Sequence, residues 1–150
     1  WHDPAVAAGE ADIVQRRLMS MPYALYGTAE TAQTVQHDPA AVGLILMNTA
    51  QSHFSDVAWL LDGFPLSRRV FTSTSRAVQA QMCQRGMGMA VLPQPLGDAL
   101  SGLQRIGTPT PPPSKDIWVG YHSDLRHMDR LRAMLDIVDA MLADPVAAGT

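Results

Sequence analysis

Two patterns of apolar and polar residues alternate along this chain. In the first, nearly every position of a short run is apolar. Val42–Met47 (V-G-L-I-L-M) and Met89–Leu92 are of this kind, and each predicts a strand buried on both faces. Tyr23–Tyr26, after the break at Pro22, Val70–Thr72 and Ile117–Tyr121 are further strand candidates. Asp12–Leu18 (D-I-V-Q-R-R-L) is extended, with a polar centre. In the second pattern apolar residues return every three or four positions, as on one face of a helix. Ala77, Val78, Met82 and Cys83 do so, with Arg76, Gln79, Gln84 and Arg85 largely filling the other positions. Leu131, Met134, Leu135, Val138, Met141 and Leu142 do so again, with Asp129, Arg130, Arg132, Asp136 and Asp139 outside.

Punctuation residues bound these elements. Thr28–His37, alanine-rich with Glu30 near its start, suits a short helix, and Asp38-Pro39 is a turn signal. Asn48–Ser55 is a polar loop. Ser55 or Asp56 can cap a helix through Trp59, Leu60 and Leu61, which Gly63 and Pro65 end. Ser73, Thr74 and Ser75 form a hydroxyl cluster at a helix start, and Gly86 stands where a helix end needs a left-handed residue. Pro95–Ser101 predicts a short helix and Leu103–Ile106 a short edge strand. Thr108–Ser114, with four prolines, is a stiff connector. Trp1–Gly9 is small and loop-like.

Arg69–Pro93 therefore reads as strand, helix and strand, a βαβ unit that implies parallel strands. The whole pattern predicts an α/β fold with a mostly parallel sheet. Ligands of such sheets sit beyond the carboxyl ends of the strands. Those ends are Gly27-Thr28, Met47-Asn48-Thr49, Ser73-Thr74-Ser75 and Leu92-Pro93. Small hydroxyls and amides beside a helix N-terminus suit a small polar or anionic ligand.

Composition narrows this without redirecting it. The 150 residues suit one domain, or one lobe and part of another, and 47% hydrophobic content supports a real core. A net charge of -3 gives no general attraction to nucleic acid or an anionic membrane. No apolar run approaches a membrane span, and no signal-peptide pattern opens the chain. The single cysteine, Cys83, allows no internal disulfide, which fits a cytoplasmic setting. The chain starts at Trp1 and reads as a fragment of a longer protein.

Other motifs give way to plainer readings. Gly86–Gly88 (G-M-G) closes a helix, whereas a dinucleotide fingerprint opens one. His2, His37, His53, His122 and His127 form no close ligand pair with Cys or another His, so no metal and no cofactor are expected. No G-x-S-x-G elbow marks a serine nucleophile. Ser73 and Ser75 read first as helix caps, Cys83 as a small core residue, and the methionines, among them Met82, Met87, Met89, Met134 and Met141, mostly as core filling. Arg126, Arg130 and Arg132, interspersed with Asp124, Asp129 and Asp136, read as a solvated face.

The ordered set of segments resembles the effector-binding domain of LysR-type transcriptional regulators. R-V-F-T-S-T-S at Arg69–Ser75 and Q-R-G-M-G-M-A-V-L-P at Gln84–Pro93 are its centre. A-D-I-V-Q-R-R-L at Ala11–Leu18, P-Y-A-L-Y at Pro22–Tyr26, V-A-W-L at Val57–Leu60 and G-L-Q-R-I at Gly102–Ile106 follow the same order. D-I-W-V-G-Y-H-S-D-L-R at Asp116–Arg126 and R-L-R-A-M-L-D at Arg130–Asp136 look like the closing strand and helix.

The resemblance implies a Rossmann-like lobe, similar to a type-2 periplasmic binding protein, over 1-116. It also implies a strand and helix, 117-150, that in the family return to the first subdomain. No helix-turn-helix and no first half of the effector domain are recognisable, so DNA is reached only through a segment absent from this chain. The apolar face of the last helix must then pack back on this lobe or against a second copy. The implied function is sensing of a small-molecule effector by a bacterial regulator, a homodimer or tetramer, with no catalysis. Effector contacts carry over to Met47, Asn48, Thr49, Ser73, Thr74 and Ser75, and to Thr28 and Pro93; the helix N-terminus favours a carboxylate. An extracytoplasmic solute-binding lobe shares the architecture. An enzyme of this fold, such as a deaminase acting on a porphyrin precursor, needs a cofactor-bearing cysteine in a loop, and Cys83 lies in a helix.

Overall fold

A computed structural model describes residues 12–48 and 55–143. In chain order the strands and helices are β1 (Ile13–Met21), β2 (Tyr23–Gly27), α1 (Ala29–His37), β3 (Gly43–Met47), α2 (Ser55–Gly63), β4 (Arg68–Ser73), α3 (Arg76–Gln84), β5 (Met89–Pro93), α4 (Gln94–Ala99), β6 (Gln104–Arg105), β7 (Lys115–His122) and α5 (Asp129–Ala143). The turn signal at Asp38-Pro39 is a short 3-10 turn, Pro39–Ala41. Contacts divide the chain into a body, Met21–Lys115, and a second unit that joins Trp1–Ser20 with Asp116–Thr150. The sequence alone places a single boundary after residue 116.

The body is a five-stranded sheet in the order β4-β3-β5-β2-β6. Its continuous apolar runs are explained by cover on both faces. Leu25, Leu44, Leu46, Met89 and Val91 turn to one side, with Ala32 and Val35 of α1 and Leu60 of α2. Tyr26, Ile45, Ala90 and Leu92 turn to the other, with Ala80 and Cys83 of α3. Each fully buried Leu or Ile of this kind stabilises the fold by about 1.5–3 kcal/mol.

The sheet is mixed, which corrects the expectation of a mostly parallel one. β3 runs parallel to β4 and to β5, but β2 runs antiparallel to β5 and β6. The cause lies in chain order. β2 precedes the first crossover helix and joins the far side of β5, reversed, with Tyr23 opposite Pro93. The predicted βαβ unit is real, but its two strands are not neighbours, because β3 lies between them.

Helix signals act as expected. Thr28 caps α1 by accepting the N–H of Thr31, and Ser75 caps α3 by accepting that of Val78. Gly86, at φ +75°, ends α3. Gly88 then lies against the backbone of Gly43, where an added Cβ would fall 2.2 Å from the Gly43 carbonyl oxygen. The G-M-G thus has a structural cause for each glycine.

In the second unit β1 and β7 form a two-stranded sheet. The Ser123 N–H donates to the Asp12 carbonyl at 2.6 Å, and Arg17 donates to Asp116 at 2.8 Å, so the strands run in opposite directions. Arg16 of β1 forms a fork with Asp139 of α5, at 3.0 and 3.1 Å. Leu131, Leu135, Val138 and Leu142 are half-buried, but Met134 (51%), Ile137 (60%) and Met141 (64%) are exposed. Met87 is exposed too. The core-filling reading therefore holds for Met89 and the half-buried Met82 but not for these three methionines.

Candidate functional site

Strands β3, β4 and β5 are parallel, so their carboxyl ends share one edge of the sheet. Met47 pairs with Ser73, and the Asn48 N–H donates to the Ser73 carbonyl at 3.1 Å. The chain then turns into α3. The Ser75 N–H donates to Ser73 Oγ at 3.1 Å, and Ser75 Oγ accepts from the Val78 N–H at 3.3 Å. Each hydroxyl is thus held as an acceptor and keeps its proton to donate. The first-turn amides of a helix have no intrahelical acceptor. Ser75 takes that of Val78, which leaves those of Arg76 and Ala77 at the mouth of α3. Thr74, exposed, stands between the two serines.

Of the predicted ligand residues, Met47, Asn48, Ser73, Thr74 and Ser75 come together here, and Pro93 ends β5 on the same edge. Thr49 lies outside the described residues. Thr28 is elsewhere. It follows β2, which is antiparallel, so it stands at the opposite end of the sheet beside Gly43 and Gly88. Its hydroxyl caps α1 and meets the Thr31 hydroxyl at 3.0 Å.

Beneath the mouth lies a charged cluster that the sequence reading missed. Asp56, expected with Ser55 as a candidate helix cap, has 2% of its surface exposed. One carboxylate oxygen accepts from Arg76 at 2.5 Å, and the other faces the Lys115 ammonium at 2.7 Å. Arg76 also donates to the Val91 carbonyl at 2.9 Å and to Gln79 Oε1 at 3.1 Å. Gln79, wholly buried, donates its amide to the carbonyls of Leu46 (3.2 Å) and Ser73 (2.7 Å). It thereby ties the ends of β3 and β4 to α3. Arg76 and Lys115 both approach the Tyr23 ring, at 5.4 and 5.2 Å from its centre.

Burial alone would push the Asp56 carboxyl up, but Lys115 and Arg76 outweigh it and hold it below the usual carboxylate range. Burial pushes the Tyr23 hydroxyl up, against Arg76. Two cations, Arg76 and Lys115, thus flank the one Asp56 carboxylate beneath this edge. A sequence signal for the cluster did exist. Asp56 is four residues before Leu60, and Gln79 four before Cys83, so both fall on the apolar faces of their helices.

Cys83 is buried between the Tyr26 and Gly88 carbonyls, with its sulfur 3.2 and 3.3 Å away, and burial pushes its thiol up to about 12. It is a core residue. Among the described residues no three His, Cys, Asp or Glu side chains converge as metal ligands, and no helix is long and apolar enough to cross a membrane.

This fold is shared by solved effector domains. The effector domain of AmpR of Pseudomonas aeruginosa superposes with a TM-score of 0.66 at 15% identity, over 91% of this chain and 68% of that one. CcmR of Synechocystis, solved as a regulatory domain in complex with 2-PG, gives 0.62 at 17% identity, over 88% and 68%. Full-length LysG of Corynebacterium glutamicum with bound effector Arg gives 0.61 at 17% identity, over 86% of this chain but 46% of LysG. This chain spans about half the length of such full-length regulators. No curated protein sequence matches it significantly. The model of the LysR substrate binding domain matches residues 4–143, and the chain belongs to that family.

Proposed function

We propose that this chain senses a small anionic effector, a carboxylate or a similar acceptor, at the shared edge of β3, β4 and β5. The reading gives Ser73, Thr74, Ser75 and the first amides of α3 the anion, and Met47, Asn48, Thr49 and Pro93 the surrounding wall. The observation that carries it is the mouth of α3. Two hydroxyls are fixed with their protons free at the N-terminal end of α3, and the Arg76 guanidinium lies below. LysG holds Arg and CcmR holds 2-PG, so effectors differ among related folds, and the charge of each site has to be read from its own residues.

The whole regulator, in this reading, is a cytoplasmic homodimer or tetramer. It contacts DNA through a helix-turn-helix outside these residues, and effector binding shifts how that segment is presented. The chain itself performs no catalysis. Calorimetric titration with a panel of small carboxylates and their amides tests the site. A saturable carboxylate is expected, its amide binding at least about tenfold more weakly. Thr74→Ala should weaken it severalfold with unchanged thermal stability, since that side chain is exposed. Equal affinity for acid and amide, or indifference to substitution at Ser73, Thr74 and Ser75 alike, would remove the assignment.

A further inference from the structure

A second cavity lies in the body away from the α3 mouth, and its chemistry is the reverse. Its volume is about 510 Å³, and it opens between the last turns of α1 and α2 and the connector at 106–110. Pockets that hold small molecules have volumes of roughly 300–1,000 Å³. Val35 and Ile106, both buried, form its floor. Trp59 and Phe64, both in its lining, meet edge to face, with ring centres 6.4 Å apart and planes at 65°. Gln36, Asp62, Thr108 and Thr110 are the polar residues of its lining.

The charge of this cavity has one sign. Among the described residues that line it, Asp62 is the single charged one, and there is no Lys, Arg or His. α1 and α2 both arrive by their C-terminal ends, where free carbonyls carry partial negative charge. Arg105, next to Ile106 in the chain, turns its guanidinium to Asp98 instead. A carboxylate and two helix ends repel an anion, and aromatic faces attract a cation. We propose that this cavity is a second binding site, selective for a small organic cation with an apolar body, such as an arylalkylammonium. The apolar body would fill the space over Val35 and Ile106. The ammonium would lie between the aromatic pair and Asp62.

Benzylammonium, with benzyl alcohol as its neutral isostere, tests this by two-dimensional amide NMR on the intact chain. Benzylammonium should shift the Trp59 indole and the amides of 59–64 and 106–110 saturably. Benzyl alcohol should shift the same signals with affinity about fivefold or more weaker. Asp62→Asn should bring the amine down to the alcohol and leave the alcohol unchanged. Asp62 is exposed, so the variant should fold. Gln36→Lys, at another exposed position, adds a competing cation and should abolish amine binding while sparing the alcohol. Equal affinity for amine and alcohol, an Asp62→Asn variant that binds the amine as before, or scattered shifts with no saturation would each overturn the proposal.

Discussion

α3 and α5 carry the same kind of apolar stripe, and they end in different surroundings. In α3, Ala80 and Cys83 are fully buried and close one face of the sheet. In α5 no described residue is buried, and Met134, Ile137 and Met141 face outward. The contrast extends to their units. Among the described residues, the buried hydrophobic ones all fall between Leu25 and Ile106, inside the body. Two strands and one helix are too few layers to enclose a core, whereas five strands with helices on both faces do so. Periodicity thus tells which face of a helix is apolar, but whether that face is covered depends on what else the fold brings to it.

Truncations in the two stripes measure this difference directly. Leu44→Ala, in the centre of the sheet, should cost about 4 kcal/mol in urea unfolding followed by circular dichroism. Ile137→Ala should stay within about 0.5 kcal/mol. A comparable loss at Ile137 would mean that the α5 face is covered in solution, and the contrast would fail. Next in size is Asp56→Ala, at about 3 kcal/mol, because it leaves Arg76 with its buried charge half-matched.

The same carboxylate sets a pH dependence. Its folded-state pKa lies below the unfolded one, so the unfolded chain binds its proton first as pH falls. Its stabilisation is therefore present above about pH 4 and fades below, down through the depressed value. Thermal melts from pH 6 downward should show a drop that Asp56→Asn lessens. Smaller than the Asp56 effect is that of Ser75→Ala, which removes the α3 cap for about 1 kcal/mol, stability that Ser75→Gly largely restores. A Ser75→Ala variant that loses effector affinity and no stability would make Ser75 a ligand contact and not a cap.

Much of the body was legible in the residues. The strands over 42–47 and 89–92, the caps at Thr28 and Ser75 and the stop at Gly86 all follow from local chemistry. The direction of β2 did not, because nothing within Tyr23–Gly27 records which neighbour it will pair with. Thr28 was misplaced for that reason alone, since a strand reversed in the sheet carries its following residue to the other edge. Gln79, assigned by type to the positions outside the apolar stripe, and Asp56, taken with Ser55 as a candidate cap, are both buried. Their positions four residues before Leu60 and Cys83 pointed inward. The partners that make such burial tolerable, Arg76, Lys115 and the strand-end carbonyls, come from distant parts of the chain.

The contact of Lys115 with the Tyr23 ring has one more consequence. Tyr23 opens the body's first strand and Lys115 is the body's last residue, so the segment begins and ends at the same place. A stretch of chain with adjoining ends, its own sheet and its own core can be spliced into a surface loop of an unrelated protein without prying that loop apart. Met21–Lys115 has the geometry of a portable cassette.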